Sequence, residues 1–207
     1  IDSTNLTNPK TILITVDLED WFQVENLRPI FPIQQWDTCE SRIESNTNII
    51  LDLFGFYNVK ATFFVLGWLA ERYPSLINEI HNKGHEIASH GYSHDSCYDL
   101  SKTELKKDLK RSKELIEEII NQRVLGYRAP NFSATEALIE VLAETGYQYD
   151  SSYNNIRFNK QHGQVKVPQN CSHKGFFLMP NGLIELPVTN LRWGRFTFPW
   201  AGGGYFR

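Results

Sequence analysis

Short apolar runs alternate with longer stretches of helical period through most of this 207-residue chain, and that rhythm limits the fold more than any other feature. Ile12-Leu13-Ile14-Thr15-Val16 is nearly continuous and too short for a helix, the kind of run that a parallel sheet buries on both faces. Ala61–Val65, His85–Ser89, Val124–Tyr127 and Tyr147–Tyr149 predict four further strands. Helices are expected between them. One covers Glu40–Phe54, with Ile43, Thr47, Ile50 and Phe54 on one face, and a second covers Trp68–Asn82 and stops at Gly84. A third begins at the capping box Ser101–Glu104 and repeats Leu105, Leu109, Ser112, Ile116 and Ile119, and a fourth runs from a second box, Ser133–Glu136, to Gly146. Five such alternations argue for an α/β fold with a parallel sheet, either open and doubly wound or closed into a barrel. After Asp150 the rhythm changes to a hairpin, Phe176–Met179 and Leu183–Leu186 about the Asn181-Gly182 turn. With no linker-like segment, the expectation is one domain over residues 1–207 with its core in 11–190.

Several classes of partner are disfavoured. A formal charge of -3 leaves no basic surface suited to nucleic acid, and no run of about 18 apolar residues suggests a membrane span. Three separated cysteines, Cys39, Cys97 and Cys171, indicate neither a disulfide framework nor a thiolate metal site. The first ten residues lack a hydrophobic signal region, which leaves cytoplasm and cell envelope both open.

Chemistry concentrates where the expected strands end. Asp17, His90, Arg128 and Asp150 each follow a predicted strand, at the sheet edge where α/β proteins carry their sites. His90 and His94 are four apart in Ser89-His90-Gly91-Tyr92-Ser93-His94-Asp95, and the acids Asp17, Glu19 and Asp20 lie upstream. Two imidazoles and a carboxylate are the usual protein share of a hydrolytic zinc site. Gly91 after His90 rules out the helical HExxH arrangement. Arg128 supplies a guanidinium that can keep a buried carboxylate ionised and oriented. Trp21, directly after the acids, is the best aromatic for a sugar face, ahead of Phe22, Trp36, Tyr92, Tyr153 and Trp193.

Five ordered pieces carry a resemblance: Thr15-Val16-Asp17-Leu18-Glu19-Asp20-Trp21-Phe22, Ala61–Val65, Gly84–His94, Tyr127-Arg128-Ala129-Pro130-Asn131-Phe132-Ser133, and Tyr149-Asp150-Ser151-Ser152. Together they resemble the polysaccharide deacetylases, the NodB-homology group of carbohydrate esterases, in the branch whose first motif reads Val-Asp-x-Glu-Asp-Trp. The resemblance implies a distorted (β/α) barrel and a divalent metal, most often zinc, on one acid and two histidines. It assigns Asp17 as catalytic base, Arg128 as the residue that orients it, and His90 and His94 as metal ligands. Leu18 stands where much of the family has a second aspartate, so the third ligand is Glu19 or Asp20, with Glu19 favoured. Trp21, Tyr92, Pro130, Asn131, Phe132 and Asp150 are then expected to line the sugar groove. The family's late histidine, its general acid, has no counterpart after His173, and the sequence reads as a C-terminally shortened version ending in Gly202-Gly203-Gly204-Tyr205-Phe206-Arg207.

The expected activity is metal-assisted removal of N-acetyl groups from amino sugars of a polysaccharide or oligosaccharide. An amidase or imidase acting on a small nitrogenous compound is the alternative enzyme, and a carbohydrate-binding protein without turnover is the alternative from another class.

Overall fold

The computed structural model describes residues 12–154, 165–168 and 175–188, together with the backbone of 172–173, 190–193 and 196–199. The side chain of Trp193 and the segment 202–207 lie outside the described residues, as does Cys171. Five strands, β1 (Thr15–Leu18), β2 (Thr62–Val65), β3 (Glu86–Ser89), β4 (Gly126–Tyr127) and β5 (Tyr149–Asp150), lie side by side in chain order and all parallel. They are followed by β6 (Ser172–His173), β7 (Phe176–Leu178) and β8 (Ile184–Glu185). The strand β8 pairs parallel with β5, while β7 and β6 complete the sheet as antiparallel neighbours. A separate antiparallel pair joins β9 (Asn190–Trp193) to β10 (Phe196–Pro199).

The order of the first five strands decides between the two α/β architectures. A doubly wound sheet reverses direction at a switch point, whereas here each crossover steps to the next neighbour in one direction. This is the winding of a barrel. Among the described residues the sheet does not close, because β1 pairs only with β2. The architecture is therefore the distorted barrel that the sequence led us to expect.

Five helices provide the crossovers and outer layer: α1 (Ile43–Phe56), α2 (Gly67–Arg72), α3 (Pro74–Asn82), α4 (Lys102–Ile120) and α5 (Glu136–Glu144). The α4 stripe is inward as predicted, with Leu105, Leu109, Ser112 and Ile116 buried, and Ser101 and Glu104 form the capping box at its start. Against it, Leu138 and Leu142 of α5 are also fully buried. Each such leucine stabilises the fold by about 1.5–3 kcal/mol relative to exposure.

Four expectations are corrected. The first strand starts at Thr15, not Ile12, and Ile12 and Leu13 are 84% and 70% exposed. Its only neighbour begins at Thr62, so nothing pairs with the residues before Ile14, whose carbonyl accepts from the Thr62 N–H. Asp17 and Asp150 consequently sit inside β1 and β5, while His90 and Arg128 do follow β3 and β4 directly. The expected Trp68–Asn82 helix is two helices. Pro74 lacks an N–H and keeps Tyr73 out of the helical region (φ -124°, ψ 49°), so α2 ends there and α3 restarts with proline in its first turn. Finally, Thr135, not Ser133, caps α5 by accepting from the Leu138 N–H. The Ser133 hydroxyl is committed elsewhere, donating to the Pro130 carbonyl and accepting from the Cys97 N–H.

Candidate metal centre

Register brings the chemistry to one edge of the sheet. Leu18, Val65, Ser89, Tyr127, Asp150 and Glu185 are successive cross-strand partners at the C-terminal ends of their strands. Asp17 lies one position earlier beside Phe64, and His90 and Arg128 lie one position later.

Asp17 and Arg128 form an ion pair of 2.7 Å. The guanidinium is 6% exposed and fully engaged: Nη1 also donates to the Thr15 hydroxyl, Nε to the Ser151 carbonyl and Nη2 to the Ser151 hydroxyl. The Phe64 ring lies 4.1 Å from its Cζ and the Phe132 ring 5.6 Å. One oxygen of Asp17 is thus held while its side chain keeps 26% exposure, the condition a solvent-facing base needs.

The Arg128 backbone serves the neighbouring histidine. Its carbonyl lies 2.8 Å from His90 Nδ1, and since a carbonyl can only accept, Nδ1 carries the proton and Nε2 keeps its lone pair. Burial pushes the His90 imidazole below its ordinary value, against the opposing pull of Asp17 and Glu19, which favours the neutral, ligating form. The His90 and His94 rings stand 5.3 Å apart. His94 Nε2 approaches Glu19 Oε2 to 2.8 Å, yet among the described residues that carboxylate oxygen has no hydrogen-bond partner, and His94 Nδ1 is equally unpartnered and buried. Donor atoms of Glu19, His90 and His94 all lie within 4.8 Å of one another. Converging lone pairs that make no hydrogen bond among themselves suit a shared cation, and two imidazoles with one carboxylate suit a borderline-soft divalent ion.

The third acid of the segment has another occupation. Asp20 is 3% exposed; Oδ1 accepts from the Trp21 N–H, and Oδ2 accepts from the Ser41 hydroxyl and the Arg42 N–H just before α1. It ties the acidic turn to the start of a helix, and the structure does not bring it into the histidine group.

Of the residues expected in a sugar groove, Trp21 is 37% exposed and packs edge-on to Phe31 at 5.1 Å. Pro130, Asn131 and Phe132 form a short turn directly after the Arg128 segment, with Asn131 and Phe132 in left-handed conformation (φ 53° and 55°). Tyr92 is turned to the helices: Arg111 of α4 stacks 3.5 Å from its ring centre, and its hydroxyl donates to Glu71 of α2. Asp150 has no exposure and lies behind Arg128, not in a groove.

Sequence reading missed the residues that hold the His94 loop. Arg28 Nη1 donates to the His94 carbonyl at 2.8 Å, and its Nη2 pairs with Asp95, which also accepts from the Ser93 hydroxyl. Asp108 of α4 accepts from the Tyr92 N–H through both oxygens, and burial pushes its carboxyl up to about 6. These clamps keep His94 at φ 57°, a left-handed conformation that costs a non-glycine residue about 1–2 kcal/mol. Asp95, adjacent to a candidate ligand, was the one signal available in sequence; Arg28 offered none.

Comparison with known proteins identifies relatives of this chain. The sequence model of the family described as polysaccharide deacetylase matches residues 5–149. A peptidoglycan-N-acetylglucosamine deacetylase of Bacillus cereus is 28% identical over 131 residues, 56% of this chain and 48% of that protein. A peptidoglycan deacetylase of Helicobacter pylori is 30% identical over 116 residues, 56% of this chain and 40% of that protein. The chain spans about half the length of these relatives or less. Among solved structures, one assigned to the polysaccharide deacetylases from Mycobacterium smegmatis superposes with TM-score 0.65 at 27% identity, covering 86% of this chain and 58% of that one. No helix among the described residues is long and apolar enough to cross a membrane.

Proposed function

The chain belongs to the polysaccharide deacetylase family, and from that premise we propose that it hydrolyses the N-acetyl groups of amino sugars in a polysaccharide or oligosaccharide. The observation that carries the reading is the placing of a held carboxylate, Asp17 on Arg128, beside three ligand-type side chains whose donor atoms converge within 4.8 Å, with Glu19 Oε2 a buried acceptor that has no hydrogen bond among the described residues. The relatives named for peptidoglycan point to N-acetylglucosamine of a cell-wall glycan as the substrate class.

Glu19, His90 and His94 are the proposed ligands, and zinc is the proposed ion. When bound, such an ion supplies Lewis acidity that makes an adjacent water more acidic and polarises the acetamide carbonyl. Asp17 takes the proton of the attacking water. Arg128 holds that carboxylate and fixes which oxygen faces the reactants. His90 is held in one tautomer by the Arg128 carbonyl, so base and ligand are oriented by the same residue. Trp21 and the 130–132 turn offer an apolar face and backbone groups at the rim for a sugar ring. Breaking the amide passes the proton held by Asp17 to the departing nitrogen, so that acetate is released, a free amine is left on the sugar and the base is restored.

The test is acetate release from N-acetylglucosamine oligomers by protein stripped with chelator and then reloaded with zinc. The reading expects about one zinc per chain, and release that disappears on stripping and returns on reloading. Oligomer binding without release would make the chain a carbohydrate binder instead, and metal-independent turnover of a small cyclic amide would move it to the amidases.

A further inference from the structure

Behind Arg128 lies a second pair of acids that the reaction does not use. Asp150 on β5 and Glu185 on β8 are direct cross-strand partners in a parallel ladder, and both are 0% exposed. One oxygen of each is accounted for: Asp150 Oδ1 accepts from the Ser152 hydroxyl at 2.6 Å, and Glu185 Oε1 accepts from the Tyr153 N–H at 2.9 Å. The other two, Asp150 Oδ2 and Glu185 Oε2, are buried acceptors without a donor among the described residues. The Arg128 hydrogen bonds go to Thr15, Asp17 and Ser151 and to neither acid of the pair. Two ionised carboxylates side by side at 0% exposure would cost several kcal/mol each. A single proton removes the difficulty, because it turns one acceptor into a donor for the other.

We propose that Asp150 and Glu185 share one proton, and that Glu185 is thereby a positioning residue for Arg128 and, through it, for Asp17. The path is short. Ser152 donates to Asp150 and accepts from the Ala129 N–H, and Ser151 receives two hydrogen bonds from the Arg128 guanidinium. Glu185 pins the next residue, Tyr153, by its N–H. The 151–153 segment is therefore fastened to Arg128 at its first residue and to the acid pair at its next two.

Burial penalises charge on both members of the pair. Burial, and then the neighbouring Asp150 charge, push the Glu185 carboxyl well above its ordinary range. Asp150 is pushed up by burial only to about 6, with Ser152 and the Arg128 charge pulling the other way. Cys97, whose electrostatics also register Asp150, is a neutral thiol that burial pushes up to about 12. An acid whose folded pKa is raised binds its proton more tightly in the native state. The pair's contribution to stability is therefore largest at low pH; it declines from the ordinary 3.8 of an aspartate through about 6 for Asp150, and from 4.5 through a still higher value for Glu185.

The inference about catalysis rests on Asp17 as base; the shared proton does not. The experiment compares wild type, Glu185→Gln and Glu185→Ala by infrared difference spectroscopy, zinc content, and kcat and KM for acetate release. Wild type is expected to show a protonated-carboxyl band that Glu185→Gln lacks. Glutamine keeps one acceptor and one donor in the same shape, so its kcat stays within a few-fold of wild type and its decline of stability above about pH 6 flattens. Glu185→Ala is expected to lose about 10²-fold in kcat, the cost of a misplaced reacting group, with KM and zinc content unchanged. Absence of the band in wild type, or a glutamine variant as impaired as the alanine one, would overturn the proposal. If the alanine variant does not fold, the band and the glutamine rescue decide. If zinc-loaded wild type releases no acetate, the functional reading fails while the infrared result still judges the shared proton.

Discussion

The two walls of the site are built differently. On one side Asp17 lies within β1 and Arg128 directly follows β4, so ladder hydrogen bonds place both, and the Arg128 N–H itself donates to the Ser89 carbonyl of β3. On the other side Glu19 and His94 stand on irregular chain, outside any helix or strand. That wall is held by side chains instead: Asp20 fastens the acidic turn to the approach of α1, and Arg28, Asp95 and Asp108 fasten the histidine loop. A sheet fixes the base within a stiff frame, while the ligand wall depends on tethers that can be cut one at a time. The difference predicts which substitutions separate chemistry from metal binding.

The largest effect belongs to the ligand wall. His94→Ala removes one of three donors and leaves Glu19 Oε2 facing an empty space in a buried setting. Both bound zinc, measured after dialysis, and acetate release should fall to background. Retention of stoichiometric zinc would remove His94 from the ligand set. Next comes the sheet wall. Asp17→Asn keeps shape but not basicity, and should lower kcat by about 10²–10⁴ while zinc stays bound, because Asp17 is held by Arg128 and lies outside the ligand group. Loss of zinc in this variant would mean that base and ligand are not separable as the two walls imply.

What could be read from sequence divides along the same line. Strand-borne residues were legible because a five-residue apolar run that ends in an acid or is followed by histidine states its own place at a sheet edge. The winding direction was not legible from periodicity, since open and closed sheets share the same alternation, and the family resemblance supplied it. Start points of strands were misjudged where the partner strand sets the limit, as at Ile12–Ile14, and the break at Pro74 was passed over in favour of the longer helical period. The tethers were invisible for another reason. Arg28 reaches a carbonyl 66 positions away and Asp20 an N–H 22 positions away, and nothing local marks either residue for its task. Glu185 read as an ordinary polar position of a hairpin, because its partner across the ladder is known only once β8 is seen beside β5.

Cutting a tether gives a smaller effect than removing a ligand. Arg28→Ala deletes the donor to the His94 carbonyl and leaves Asp95 without its cation. The left-handed backbone at His94 then loses its support, and zinc affinity should drop about 10–100-fold, as for outer partners of metal ligands generally. Titration against a competing chelator measures this, and Arg28→Lys should recover part of it through one remaining donor. An unchanged affinity in Arg28→Ala would show that the loop holds its shape without the clamp.

The smallest effect tests the division within the acidic turn itself. Asp20 and Glu19 are neighbours of the same charge, yet Asp20 accepts three hydrogen bonds from Trp21, Ser41 and Arg42, while Glu19 faces His94. Asp20→Ala strands the Trp21 and Arg42 N–H groups and should cost about 1–2 kcal/mol of stability, the range for a lost helix-end cap, seen as a lowered denaturation midpoint. Zinc affinity should change far less than in Glu19→Gln, which keeps the volume of the side chain and removes its charge. The reverse outcome, with zinc lost from Asp20→Ala and kept by Glu19→Gln, would move the third ligand from Glu19 to Asp20. The ligand wall would then carry metal and fold on one carboxylate.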